Sequence, residues 1–285
     1  MANIRLIRRR IKGIQNIAKI TRAMEMVATS KMRRAQERGL AGRPYSEKIH
    51  QVIADLTALS QTGRVLHPLL QCRPVARVAI VHITPDRGLC GGLSSNINRN
   101  TTSFIHDKSM PTTLVCVGRK GLEFIKRRGL DIRAEFTGLS DRPSLLDTLP
   151  ISRIIIDDFR SGFIDAVYLA YARFVSTMVQ TPVVEPLLPV EPAVIPRVQN
   201  VDYIYEPTSD VVLAGLLSRF IEMQIYHAIL ESTASEQSAR MVAMRNATEN
   251  AGELIDELTL MYNKTRQEAI TKELLDIVGG VEVLT

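Results

Sequence analysis

The segment from Asp86 to Asn96 contains residue types that could bind phosphate. It reads DRGLCGGLSSN and lies between a predicted strand and a predicted helix, which is where glycine-rich loops bind phosphate groups. It has neither the Gly-Lys-Ser/Thr ending of a P-loop nor the GxGxxG spacing of a dinucleotide site. We therefore expect a tight strand-to-helix turn without a nucleotide, and an inert, packed Cys90 thiol within it.

Other candidate catalytic and metal-binding side chains form no recognisable pattern. The five histidines have no metal-ligand spacing, and the three cysteines, Cys72, Cys90 and Cys116, contain no CxxC pair. Asp157 and Asp158 are adjacent, so on a helix they would point in different directions, and we expect them on a solvated face or at a cap. We predict no catalytic residue, no metal and no cofactor.

Positive charge is concentrated in the first 50 residues. They contain thirteen Lys and Arg and three Glu, so this segment carries about +10, while the whole chain carries +6. Nucleic acid, anionic lipid headgroups and acidic protein surfaces all bind such segments, and charge alone does not distinguish them. The cluster from Lys31 to Arg34 has no interleaved aromatic residues, so an exposed, charged helix face is the simpler interpretation.

The composition is typical of a folded, soluble chain in a reducing compartment. With 285 residues, 45% of them hydrophobic, the chain can bury a substantial core, and its odd number of cysteines predicts no disulfide framework. No apolar run approaches the roughly 20 residues of a membrane span, and we expect no secretory signal. The Arg-rich start resembles an organelle transit peptide, but it continues into an ordered helical pattern, so we expect it to be retained.

The sequence predicts two long terminal helices with a folded domain between them. The first helix is predicted from Asn3 to about Ser60, because apolar residues recur in steps of three and four. These residues are Ile4, Ile7, Ile11 and Ile14, then Ile17, Ile20, Met24 and Val27. We expect a bend near Arg43 but no break, because the pattern contains Gly13, Gly39, Gly42 and Pro44.

The second helix is predicted from about Thr208 to Val278. Pro207 precedes it and Gly279–Gly280 follow it, which are typical start and stop signals. About 70 helical residues would extend on the order of 100 Å. Its heptad seam comprises Leu216, Phe220, Met223, His227, Leu230, Ala234, Gln237, Met241, Met244, Thr248, Ala251, Ile255, Leu258, Tyr262 and Thr265. The apolar phase then moves, to Ile270, Leu274, Ile277, Val281 and Leu284.

Residues 75–200 are predicted to form an α/β domain with a small, largely parallel sheet. The predicted strands are Val75–Ile83, Thr113–Val117 and Ala166–Leu169, and the predicted helices are Asn96–Asp107, Lys120–Arg128 and Leu145–Phe159. A proline-rich span from Pro182 to Pro196 is expected to be an extended strand and linker. Since each terminal helix needs a partner for its apolar stripe, we expect residues 1–60 and 208–285 to pair as an antiparallel coiled coil. Self-association of each helix between separate chains is the alternative.

Three separated parts of the chain resemble the γ subunits of F-type ATP synthases. The first is Ile14–Ala28 with Lys31–Gln36, and the second is the turn Asp86–Gly92. The third comprises Ala239–Met244, Asn246–Thr248, Asn250–Ala251, Thr265–Gln267, Ile270–Leu274 and Ile277–Gly280. The resemblance covers essentially the whole chain. Ile17, Leu93 and Gln237 depart from the common pattern, and the cysteine-bearing insertion of the chloroplast form is absent, so thiol regulation is not expected.

This resemblance implies a rotating shaft without an active site. In the family, the coiled coil occupies a ring of three α and three β subunits, catalysis belongs to β, and the α/β domain sits with ε on the membrane c-subunit ring. The family's β-contact positions correspond to Met24, Arg266, Gln267, Thr271 and Glu273. Ordinary solvated helix charges remain the alternative for Arg266 and Glu273. The resemblance also implies a bacterial inner-membrane complex, peripheral on the cytoplasmic side.

Two other classes of function remain open at this point. A nucleotide-dependent enzyme built on the central domain would bind ATP as an isolated chain. A basic coiled-coil adaptor for nucleic acid would bind DNA in a salt-sensitive manner. Neither class accounts for three matching segments in one chain.

Overall fold

The computed structural model describes residues 4–60, 67–140, 142–190, 206 and 208–282. Along the chain, an α/β domain lies between two long helices, which is the predicted order of elements. The sheet of this domain has five strands. The elements are α1 (Ile4–Ser60), β1 (Val78–Ile83), α2 (Leu93–Lys108), β2 (Thr112–Val117), α3 (Arg119–Arg128), β3 (Asp131–Phe136), α4 (Leu145–Arg160), β4 (Ala166–Phe174), β5 (Gln180–Leu188) and α5 (Ser209–Glu282). No helix in the described ranges has a stretch that is long and apolar enough to cross a membrane.

The sheet has the strand order β3-β2-β1-β4-β5. All neighbouring strands are parallel except β4 and β5, which are antiparallel, so the predicted small, largely parallel sheet is confirmed. All six residues of β1 are buried, because this central strand has helices on both faces. Such a strand is recognised in sequence by its continuous apolar run.

The strands β3 and β5 form the two edges of the sheet, and neither has a continuous apolar run. The strand β3 was not predicted, and β5 was predicted only as an extended strand and linker. In β3 the charged residues Asp131, Arg133 and Glu135 alternate with partly buried ones, and a charged edge discourages pairing with other chains. In β5, Pro182 and Pro186 are tolerated because the strand pairs only with β4. The extended strand expected in the proline-rich span is therefore confirmed over Gln180–Leu188, and the rest of that span lies outside the described residues.

Each face of the sheet packs against its own helices. On one face, alternate residues of β1, β2 and β4 pack with α4, with the first part of α5 and with Ile49 and Ile53 of α1. On the other face, Ile80, Leu114 and Cys116 belong to smaller clusters that involve α2 and α3. Burial raises the pKa of the Cys116 thiol to about 12, so this cysteine is inert at neutral pH.

The long helices begin where they were predicted, but one of the predicted ends is wrong. The helix α1 continues without a break through Gly39, Gly42 and Pro44, and the bend near Arg43 stays a prediction. The helix α5 continues through Gly279–Gly280 to Glu282. Glycine in a helix interior costs roughly 1 kcal/mol relative to alanine, and this cost does not by itself end a helix.

The chain divides into two compact units, which are Met1–Ala28 with Arg240–Thr285, and Thr29–Ala239. In the first unit, two contacts define an antiparallel pair of helices. Thr21 Oγ1 lies 2.7 Å from Thr248 Oγ1, and Arg245 Nε lies 3.0 Å from Glu25 Oε1. Residue numbers rise along one helix while they fall along the other, so the predicted antiparallel coiled coil is confirmed.

The predicted seam of α1 is wrong in its second half. Ile17, Ile20 and Val27 are 55%, 59% and 54% exposed. The buried and half-buried positions instead continue through Ile7, Ile11, Ile14, Ala18, Thr21 and Ala28. A coiled-coil seam needs an average step of about 3.5 residues, and the two successive steps of three from Ile14 to Ile20 move the apolar stripe off the seam. The seam of α5 is confirmed at Met241, Met244 and Ala251.

Candidate partner-contact surface of the paired helices

The seam between the paired helices combines apolar residues with a pair of threonines. Thr21 and Thr248 face each other there, and one hydroxyl donates to the other. The accepting hydroxyl donates its own proton to a carbonyl of its helix, that of Ala18 for Thr21 or that of Met244 for Thr248. A polar pair in an apolar seam specifies one register at some cost in stability. The small side chains of Ala18, Thr21 and Ala251 also allow close approach of the two backbones.

One side of the helix pair carries exposed apolar residues from both helices. In an antiparallel coiled coil, the g positions of the two helices lie on the same side. Apolar g positions here are Ile17 and Met24 on α1 and Leu254 and Met261 on α5, while Arg10 and Arg240 also occupy g positions. The adjoining c positions Leu6, Ile20 and Val27 of α1 are apolar as well. We call this surface the apolar flank and define it as Leu6, Ile17, Ile20, Val27, Leu254 and Met261, all of which are exposed.

The opposite side of the helix pair is polar and basic. Its e positions include Arg8 and Arg22 on α1 and Arg245 and Arg266 on α5, all of them exposed. Only Arg245 has a described ionic partner among these four, through its contact with Glu25. Exposed pairs of this kind contribute about 0–1 kcal/mol. The two sides of the helix pair therefore differ sharply in chemistry.

The predicted β-contact residues lie at two separate levels of the helix pair. The antiparallel register places Ile4 level with about residue 265, so Arg266 and Gln267 lie near the first described turn of α1. Met24 lies about 30 Å away along the axis and is half-buried. Thr271 and Glu273 are exposed and lie past the level of Ile4. These five residues therefore do not form one site.

The apolar flank was not predicted from the sequence. Ile17, Ile20 and Val27 were assigned to the apolar stripe that pairs with α5, because their spacing is helical, whereas Leu6, Leu254 and Met261 were assigned no role. The two short steps after Ile14 are the sequence signal that Ile17 and Ile20 leave the seam. The change of apolar phase after Thr265 was recognised, and Ile270 and Leu274 are exposed on α5 as expected. The remaining predicted members of that stripe have side chains outside the described part of the chain.

The glycine-rich segment forms a tight turn, as predicted. Leu89 and Gly91 have positive φ values of 65° and 59°, and Gly92 is the N-cap of α2. Cys90 is buried within the turn. The carboxylate of Asp86 accepts hydrogen bonds from the backbone amides of Arg119 and Gly138 at 2.9 Å each. A side-chain carboxylate therefore occupies the N-terminus of α3, where a phosphate group would otherwise be favoured.

The adjacent carboxylates of α4 differ in their environments. Asp157 is exposed, as predicted, but Asp158 is buried, which corrects the expectation of a solvated face or cap for this residue. Asp158 accepts two hydrogen bonds from the Arg133 guanidinium, both at 2.9 Å. Hydrogen bonding to Asp158 raises the pKa of Arg133. The pair attaches the edge strand β3 to α4.

His82 is a fully buried titratable group in the centre of the sheet. Its Nε2 lies 2.9 Å from Asn98 Oδ1, and its Nδ1 lies 3.1 Å from Thr101 Oγ1. Burial lowers the pKa of His82 to about 4, so the ring is neutral at pH 7. Gly121 permits this packing, because an added Cβ there would lie 2.6 Å from the imidazole. His82 is therefore a core residue with satisfied hydrogen bonds.

No group of three or more His, Cys, Asp or Glu side chains in the described ranges could hold a metal ion. The arrangement of the first unit is instead that of a contact surface, with a rigid helix pair, an apolar side and a basic side. Such a surface can bind protein partners in ways that depend on which side faces them.

Comparison with known sequences gives matches over the whole length of the chain. The model of the family described as ATP synthase matches residues 3–284. The ATP synthase gamma chain of Dehalococcoides mccartyi strain CBDB1 is 66% identical over 284 residues, which cover 100% of both chains. The ATP synthase gamma chain of Herpetosiphon aurantiacus is 50% identical, with 100% of this chain and 99% of the relative covered.

Solved structures of lower identity have a similar fold. A chain from the central stalk and c-ring of Tetrahymena thermophila mitochondrial ATP synthase has a TM-score of 0.64 at 24% identity, with coverage of 80% of this chain and 99% of that one. A chain from the OSCP, F1 and c-ring structure of the Euglena gracilis enzyme has a TM-score of 0.66 at 18% identity, with coverage of 99% and 94%. At these identities the two structures establish similarity of fold.

Proposed function

This chain belongs to the ATP synthase γ chain family, and from that membership we propose that it is the central rotor shaft of an F-type ATP synthase, with no catalytic site of its own. One observation carries the proposal: the chain is 66% identical, from end to end, to an ATP synthase gamma chain. The antiparallel helix pair, which has two chemically different sides, supports it in structural terms.

The partners follow from the proposed role. We assign to this chain a ring of three α and three β subunits around the helix pair, and the ε subunit and membrane c-subunit ring beside the α/β domain. In the proposed division, residues 1–60 and 208–285 form the shaft and residues 75–200 form the globular domain. The complex would be bacterial and the chain peripheral on the cytoplasmic side of the inner membrane, and no nucleic acid takes part.

The unlike sides of the helix pair suggest how rotation reaches the catalytic subunits. Three identical β subunits around one asymmetric shaft meet different surfaces, so each is biased toward a different conformation. Ile17, Ile20 and Val27 are roughly half-exposed, and burying their remaining surface against one β subunit would contribute about 3 kcal/mol in total. That is about the size of a typical allosteric coupling energy.

The predicted contact residues lie at two positions along the axis of the helix pair, and we propose a separate contact with β at each. Met24 lies beside the apolar flank, so we propose that it contacts an apolar part of a β subunit. Arg266, Gln267, Thr271 and Glu273 are exposed polar residues on α5, so we propose polar contacts with a different part of β. The distance of about 30 Å between the two levels suits separate contacts.

The proposal is tested by mixing the purified chain with matching α and β subunits. We expect one copy to join a six-subunit ring and to raise cooperative ATP hydrolysis, while the chain alone is inactive. Absence of assembly, or ATP hydrolysis by the chain alone, would overturn the proposal.

A single substitution examines the contact residues within that assembly. Arg266→Ala should lower ATP turnover without preventing assembly, because it removes a polar contact with β. Lys264→Ala is the matched control, because Lys264 is an exposed cation two residues away on the same helix. Equal turnover in the two variants would remove Arg266 from the contact set.

A further inference from the structure

Four cationic side chains surround one cavity in the unit formed by residues 29–239. The cavity has a volume of about 310 Å³. Its charged lining residues are Lys31, Arg34 and Arg38 from α1 and Arg142 from the segment before α4. The hydroxyl-bearing residues Ser140 and Thr233 also line it. In the described part of the chain, no acidic side chain lines this cavity.

A second cavity of about 330 Å³ adjoins the first. Ser140, Pro143 and Thr233 line both. The second cavity lies at the carboxyl ends of β1, β2 and β3, which is where open α/β sheets bind ligands. Two further arginines, Arg87 and Arg119, line it.

The two adjoining cavities together remain mainly cationic, although acidic side chains line the second one. Asp86 and Glu236 line this cavity, and the Asp86 carboxylate is already bound by two backbone amides. We call the two cavities together the basic cleft and define it by Lys31, Arg34, Arg38, Arg87, Arg119 and Arg142. Six cationic residues thus line the cleft together with two acidic ones.

This lining suits phosphate oxygens. Arginine guanidinium groups bind phosphate in a bidentate manner, and the hydroxyls of Ser140 and Thr233 can donate further hydrogen bonds. The like charges of α1 and Arg142 repel one another, and a bound polyanion would relieve that repulsion. Each cavity is at the lower end of the volume range of small-ligand sites, about 300–1,000 Å³, and together they can hold a chain of phosphoryl groups.

The shape of the cleft favours a compact anion over an acidic protein segment. The cations reach the first cavity from two different elements, and Ala35, Pro143 and Leu230 are buried residues of its wall. An acidic helix would bind instead along a row of cations on an open helix face. We propose that the basic cleft binds a polyphosphate group, as inorganic tripolyphosphate or as the triphosphate of a nucleotide. The glycines of the turn before α2 take no part in this binding.

Calorimetric titration of the purified full chain with tripolyphosphate tests the proposal at an ionic strength of about 0.15 M. We expect saturable binding of one tripolyphosphate per chain. Arg34→Gln/Arg38→Gln should weaken binding at least about tenfold, because it removes two guanidinium groups that form charge-assisted hydrogen bonds with phosphate oxygens. The matched control is Arg9→Gln/Arg22→Gln, which removes two exposed arginines of the same helix outside the cleft and should change affinity less than about twofold.

Further titrations distinguish the sources of the anion. Binding of ATP with a similar affinity would identify the triphosphate as the recognised group, and weaker binding of orthophosphate would support a site for several phosphoryl groups. Arg142→Gln provides a second variant outside α1, and it should also weaken binding. Equal losses in the cleft and control variants, several ions bound per chain, or cleft-dependent binding of polyglutamate without binding of tripolyphosphate would each overturn the proposal. These titrations need no α or β subunits, so their outcome is independent of the rotor function.

Discussion

Acidification should destabilise this protein through His82, a single buried side chain. The pKa of His82 is about 4 in the folded protein, whereas an unperturbed histidine has a pKa of 6.5. Since the folded-state pKa is the lower one, the unfolded chain binds the additional proton as the pH falls. The stability due to the neutral ring is fully present above about pH 6.5 and is lost progressively toward pH 4.

The size of this effect follows from the two pKa values. Their difference corresponds to about 3 kcal/mol of unfolding free energy over the whole range, and to about 2 kcal/mol by pH 5. Measurements that stop at about pH 5 separate the effect of His82 from the titration of carboxylates, because most carboxylates are still ionised at that pH. The burial of His82 is complete, so solvent screening does not reduce this difference in free energy.

Urea unfolding of the full chain, followed by circular dichroism between about pH 7.5 and pH 5, measures the effect. His82→Gln provides the comparison, because glutamine can hydrogen-bond to Asn98 without titrating. The variant should be less stable at pH 7.5 but should lose about 2 kcal/mol less on acidification. If both proteins lose stability in parallel, the reasoning about His82 is refuted.

A second measurement keeps the prediction testable if His82→Gln does not fold. The imidazole Cε1 proton of His82 can be followed by NMR in the unaltered protein. No titration of this signal should occur above about pH 5, because burial lowers the pKa of the ring. A midpoint near 6.5 would contradict the structure.

Four further substitutions examine other parts of the protein. Ile20→Ser should leave thermal stability nearly unchanged but reduce activation of ATP hydrolysis in the assembled ring, whereas Ile7→Ser, at a buried seam position, should lower the unfolding free energy by about 2–4 kcal/mol; equal losses of stability would contradict the assigned seam. Gly118→Ala should prevent soluble expression, because φ is +94° and the added Cβ would overlap the Thr84 carbonyl; a soluble variant with an unchanged melting temperature would refute this. Asp158→Ala should lower the urea midpoint of the α/β domain, because it removes the carboxylate that accepts two hydrogen bonds from Arg133; an unchanged midpoint would mean that the pair is only a surface contact.

The elements with strong periodicity were predictable from sequence. The long helices and the central strands β1 and β2 have either sustained helical spacing or continuous apolar runs, and these patterns dominate local preference. The edge strand β3 has neither pattern. Its residues Asp131, Arg133 and Glu135 face solvent, and the strand exists because β2 offers it a hydrogen-bonding edge, which only the folded sheet reveals.

The contact surface was predictable only in part. Steps of three and four identify a helical face, but they do not determine which of two neighbouring stripes meets the partner helix. Ile17 and Ile20 are larger and more apolar than Ala18 and Thr21, so composition favoured the wrong stripe. The register of the helix pair determined the outcome, because the seam must keep an average step of about 3.5 residues along both chains. The roles of Met24 and Arg266 in binding β stay predictions.

The threonine pair in the seam makes the two helices resistant to sliding along one another. A slip by one heptad would move the helices about 10 Å and would place Thr21 opposite Met241 or Ile255 in place of Thr248. The slip would break the hydrogen bond between the two hydroxyls, at a net cost of about 0.5–1.5 kcal/mol, because each hydroxyl would keep only the carbonyl of its own helix. The pair thus acts as an axial stop, so a torque applied at one end of the helices can be transmitted without being lost as slippage.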